Sequence, residues 1–116
     1  MGSGDVYKRQ ILEYADRLSA IENQKEILLR QFEENSILYW HGHQVTANSV
    51  IIAEVKSYLD MGRTQNITML DDFKTPFVVA DTENFSIKLA TTYQEALQTY
   101  HAEYKKLVAS KGDLDA

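Results

Sequence analysis

Between Lys8 and Glu34 the chain contains neither glycine nor proline, the two residues that most readily interrupt a helix. Within that stretch Ile11, Tyr14, Leu18, Ile21, Leu28 and Phe32 recur at steps of three and four, with only Lys25 breaking the series. They form one stripe of a helix whose other positions are largely charged or polar. At roughly 1.5 Å per residue such a helix is about 40 Å long, whereas a compact domain of this chain length is roughly 26 Å across. The far end of the stripe therefore needs cover, from the other long helix of the chain or from the same helix of a neighbouring subunit. The near-heptad spacing points to a coiled-coil-like seam.

Asn35-Ser36 ends this helix, placed over 11–35. The β-prone run Ile37 to Val45, with Gly42 near its middle, reads as a short strand or extended arm. Thr46 or Asn48 can cap a helix carrying Val50, Ile51, Val55, Tyr58 and Leu59, and Gly62 stands where a left-handed C-cap is wanted. Ile67-Thr68-Met69-Leu70 and Pro76-Phe77-Val78-Val79 flank the polar turn Asp71 to Thr75, which predicts a β-hairpin. Pro76 lacks a backbone donor and belongs at a strand start or an edge. Ile67 and Met69 share one face, as do Phe77 and Val79, and these faces are expected to meet the helices. Asp81 can cap a last helix with Glu83 in its first turn. Phe85, Leu89, Tyr93, Ala96, Tyr100, Tyr104 and Leu107 mark its apolar face, and it can run to about Ser110 before Gly112.

The expected architecture is α+β and mostly helical: two long helices and one shorter helix packed with a β-hairpin and a short extended arm. A length of 116 residues fits one domain, placed over 11–110, with 111–116 read as a disordered tail. Residues 1–10 stand apart. Met1-Gly2-Ser3-Gly4 looks like a cloning remnant, and Asp5 to Gln10 resembles translated sequencing-adapter sequence at the end of an environmental contig. On that reading the natural N-terminus is missing.

Composition removes several function classes. With no cysteine, disulfide frameworks, thiolate metal sites and cysteine nucleophiles are excluded. A net charge of -5, with basic residues interleaved among acids, argues against nucleic acid as partner, since phosphate binding needs clustered Lys and Arg. No apolar run approaches the length of a membrane span and no secretory leader is visible, so a cytoplasmic setting without membrane contact is expected.

The chemical candidates are few. His41-Gly42-His43 would place two imidazoles on one side of a strand, where they could share a metal, with His101 as a distant third ligand. No carboxylate stands beside them at metal-site spacing, so histidines of a partly exposed arm are the plainer reading and neither metal nor cofactor is expected. Asp71-Asp72 lacks the calcium-loop pattern and reads as turn chemistry. The glycines form no phosphate-binding cluster. Tyr93, Tyr100 and Tyr104 form either a recognition face, tyrosine being rich in rigid amphipathic contact area, or an ordinary packing face with wet hydroxyls.

The order of arm, helix ending in Gly, hairpin and long helix is carried by Val45-Thr46-Ala47-Asn48-Ser49, Ile67 to Asp72 and Phe77 to Phe85. It resembles an uncharacterised domain found in bacteriophage tail and tail-fibre-assembly proteins. Gly42, Val45, Thr46 and Ser49 occupy the places of a glycine, valine, threonine and serine that open that domain's first helix. The family often has a tryptophan in the first hairpin strand, where this chain has Met69 or Leu70; its only tryptophan is Trp40. The resemblance covers about 42–107 and leaves the first helix as an appendage. It implies a non-enzymatic virion component or assembly factor, in the host cytoplasm or the virion. Its partner would be a tail protein or a second copy of itself, engaged through Ile11, Tyr14, Leu18, Ile21, Leu28, Phe32, Tyr93, Tyr100 and Tyr104. A small phage-encoded inhibitor of a host enzyme or defence protein is the alternative, to which the acidic balance and small size are suited.

Overall fold

The computed structural model describes residues 3–110. Helix α1 spans Ser3–Asn35, followed by strands β1 (Ile37–Trp40) and β2 (His43–Thr46), helix α2 (Ser49–Asp60), strands β3 (Gln65–Leu70) and β4 (Pro76–Asp81), and helix α3 (Thr82–Ser110). The chain is α+β and mostly helical. Helix α1 starts earlier than the apolar stripe required, taking in Ser3 to Gln10. The tail 111–116, read as disordered, lies outside the described residues. By internal contact the chain falls into two units, one comprising Phe32–Gln98 and the other the flanking lengths of α1, up to Gln31, and of α3, from Thr99.

The segment expected to be an extended arm turns back on itself as a second hairpin. Strands β1 and β2 pair antiparallel, Ile37 opposite Thr46 and Trp40 opposite His43. His41 and Gly42 make the two-residue turn, both with positive φ, 49° and 83°. That conformation matches the right-handed twist of the strands and needs residues that tolerate left-handed backbone, which glycine does freely and histidine better than most. The pairing extends one step further, the Ala47 N–H donating to the Ser36 carbonyl at 2.7 Å.

Helix α2 is bounded by side-chain and backbone caps. Of the two capping candidates Asn48 is the one used, its side-chain oxygen accepting from the Ile51 N–H at 3.0 Å. At the other end the Gly62 N–H donates to the Leu59 carbonyl and the Arg63 N–H to the Tyr58 carbonyl, both at 2.9 Å. With Gly62 at a φ of 81°, this is a Schellman closure.

Strands β3 and β4 form the expected hairpin, with Met69 opposite Phe77 and Ile67 opposite Val79. Asp71 N–H donates to the Thr75 carbonyl at 2.9 Å, and Lys74 N–H to the Asp71 carbonyl at 3.0 Å. Asp72, Phe73 and Lys74 thus form a three-residue loop whose last member takes a φ of 64°, a tight turn followed by a left-handed residue. Pro76 is the first residue of β4, where its missing donor costs no ladder bond. Asp81 caps α3 by accepting from the Asn84 N–H at 3.0 Å.

Period-two and helical faces meet in one core within the Phe32–Gln98 unit. Ile67, Met69, Phe77 and Val79 supply the hairpin side, Phe85 and Leu89 the α3 side, and Val45, Ala47 and Val55 the rest, all buried. Trp40 closes it edge-on to Phe85, with ring centroids 5.0 Å apart. Burying side chains of this size stabilises by about 1.5–3 kcal/mol each relative to exposure.

Candidate functional site

The apolar stripe of α1 has two parts. In α1, Ile11, Tyr14 and Leu18 are 51%, 44% and 41% exposed, whereas Ile21 falls to 6%. Leu28 and Phe32 are half-buried, and the Phe32 ring lies 5.9 Å from that of Tyr93. Tyr93 in turn packs against the core, so this pair faces inward and serves the Phe32–Gln98 unit. Tyr100 and Tyr104 are half-buried. The open portion of the expected interface therefore contracts to the first turns of α1, where Val6, Tyr7 and Leu12 are also exposed. A 33-residue helix is about 50 Å long. Helices this long take most of their stability from packing of an apolar face rather than from propensity, and here that packing begins near Ile21.

The histidines are arranged differently from the expectation of a shared strand face. His41 occupies the turn, while His43 is the first residue of β2. Alternation along a strand therefore does not apply to the pair. His43 instead meets Asp71, distant by 28 positions in sequence, its Nδ1 lying 2.8 Å from Oδ2. With the carboxylate ionised, Nδ1 is the donor. The imidazole also stacks on Phe77, with centroids 4.6 Å apart and 18° between planes.

Asp71 is a buried acid with three donors. Besides His43, its Oδ1 accepts from the backbone N–H groups of Phe73 and Thr75, both at 2.9 Å. The His43 hydrogen bond, then those from Thr75 and Phe73, hold its carboxyl below the ordinary carboxylate value against the opposing effect of burial. Asp72 points to the other hairpin. Its carboxylate accepts from the Thr46 N–H at 2.9 Å, the Thr46 hydroxyl at 2.7 Å and the Gln44 side-chain amide at 3.0 Å. Its own N–H donates to the Gln44 carbonyl at 2.9 Å. Both acids thus tie this turn to β2, Asp71 through His43 while also shaping its own turn, and Asp72 through Gln44 and Thr46.

A histidine oriented by a carboxylate is one part of a general base, but here the carboxylate is spent on the turn and the ring on Phe77. Among the described residues no three His, Asp or Glu side chains gather as a metal site, and no helix is long and apolar enough to cross a membrane. The sequence reading missed the His43–Asp71 pair because nothing local links the two. The one signal was that a buried acid in a turn needs a donor from elsewhere.

Comparison with protein-family models, curated proteins and solved structures yields no match for this chain.

Proposed function

We propose that this chain is a non-enzymatic assembly protein that works by helix-mediated contact with other protein subunits, a second copy of itself first among them. The observation that carries this reading is the apolar series Ile11, Tyr14 and Leu18, exposed along one face of an unbroken helix. Its spacing continues a seam that is buried at Ile21 and half-buried at Leu28 and Phe32, so a partner helix meeting it would extend an existing packing pattern. A placement among phage tail or tail-fibre-assembly proteins, in the host cytoplasm or the virion, is supported by the resemblance of 42–107 described above.

Size-exclusion chromatography with light scattering across a concentration series tests self-association. The expected result is a dimer or larger particle that Leu18→Glu returns to monomer, because a charge in the seam loses both apolar burial and its own hydration. A particle that stays monomeric at every concentration counts against the reading.

A further inference from the structure

A second surface, sharing no residue with the α1 seam and independent of the proposal above, lies between α2 and the free edge of β3. Among the described residues strand β3 has β4 as its one sheet neighbour, which leaves its other edge unpaired there. The register decides which groups that edge presents. Because the Asp71 N–H bonds the Thr75 carbonyl, Asp71 and Thr75 are a hydrogen-bonded pair. Stepping by two puts Met69 with Phe77, and Ile67 with Val79, in the same class. The N–H and C=O of the intervening Thr68 and Leu70 therefore point away from β4. Both residues are exposed.

The same logic applied to the other hairpin gives the opposite outcome. Its two-residue turn makes Trp40 and His43 a hydrogen-bonded pair, which sends the backbone groups of Gln44 and Thr46 outward. Two of those groups are occupied by one residue: Asp72 donates to the Gln44 carbonyl and accepts from the Thr46 N–H. One edge is closed by a side chain placed for the purpose, a common protection against stray strand pairing. Among the described residues the β3 edge has no such closure.

Beside that edge runs a groove of about 550 Å³, lined by Val50, Ile51, Glu54 and Tyr58 of α2 and by Thr68 and Leu70 of β3, among others. Val50 and Leu70 are 75% and 53% exposed. The charges are unbalanced, since Glu54, Asp71 and Asp72 face a single cation, Lys74. Among the described residues neither Glu54 nor Asp72 has an ion-pair partner. The Tyr58 hydroxyl donates to Glu54 at 3.3 Å, its ionisation pushed upward by burial and then by the Glu54 charge.

We infer that this groove is the docking site for an extended segment of another protein, with alternating apolar and basic residues, which adds to β3 as a further strand. A docked helix would satisfy its own backbone and leave Thr68 and Leu70 unpaired, whereas an extended segment supplies the complementary donors and acceptors. Successive side chains of a strand point to opposite faces. The set on the α2 side of the sheet carries positive charge toward Glu54, and the apolar set lies on the other side, beside Leu70.

The test uses the capped peptide acetyl-Lys-Val-Lys-Val-Lys-amide titrated into the isotope-labelled full chain, read by amide resonances and hydrogen exchange. The Thr68 and Leu70 amides are expected to shift and gain protection. Binding should weaken by about tenfold or more when the peptide is N-methylated throughout, when glutamate replaces its lysines, or in Glu54→Gln. Leu70→Pro, which removes an outward donor without touching the ladder, should also abolish binding, with circular dichroism to check its fold. Unmoved Thr68 and Leu70 amides overturn the inference, as does equal binding of the N-methylated peptide. Shifts that follow protein concentration without peptide would assign the edge to a second copy of the chain and overturn it too.

Discussion

The two long helices carry the same alternation of three and four, yet it leads to different ends. In α3, Phe85, Leu89 and Ala96 are buried, and no large apolar residue among Phe85, Leu89 and Tyr93 is left open. In α1 the same spacing leaves Ile11, Tyr14 and Leu18 in solvent and reaches burial only at Ile21. Periodicity therefore specifies a face and says nothing of its neighbour. What sets α3 apart is the adjoining sequence, since it follows directly on a hairpin whose inner residues need a lid.

This difference can be tested by substitution. Leu89→Ala, at a site with no exposure, should destabilise by about 3 kcal/mol in chemical denaturation, as cavities of this kind do. Asp71→Asn should change the response to acid. Because the folded-state value of Asp71 is lowered, its bonds contribute fully above the unfolded value and are lost as pH falls through the lowered one. Thermal melts of the parent between about pH 5 and pH 2 should fall more steeply than those of the variant. Thr82→Val should raise stability by about 1 kcal/mol, since the Thr82 hydroxyl is buried without a hydrogen-bond partner and its removal relieves the desolvation. Leu18→Glu should move monomer stability by no more than about 0.5 kcal/mol, the range for exposed positions away from packed features. A cost near that of Leu89→Ala would mean that α1 is covered within its own chain, and the contrast between the helices would collapse.

Much of the fold was legible because its signals are local. Asn48, Gly62 and Asp81 act on backbone groups within one helical turn, so their cap roles could be read from neighbouring residues alone. The β3–β4 hairpin was equally open, since Asp71 to Thr75 is a polar break between two β-rich runs. The β1–β2 hairpin was obscured by its turn, His41-Gly42 being a weaker signal than Asn-Gly or Asp-Gly for the same conformation. The His43–Asp71 bond and the Asp72 closure of β2 join positions far apart in sequence, which no window of spacing or propensity connects. As for the interface, the sequence marked the α1 stripe, but the point along it where cover begins is a tertiary fact.

The adjacency of Asp71 and Asp72 has one further consequence. Were β3 and β4 to pair one residue out of step, the inner face would turn outward and the two carboxylates would trade directions. The first would lose His43 and the turn amides, and the second would no longer reach Thr46. A misaligned ladder is thus rejected twice, once by its own greasy side and once by the neighbouring hairpin, so a short stretch of sheet is proofread by a part of the molecule some thirty positions upstream.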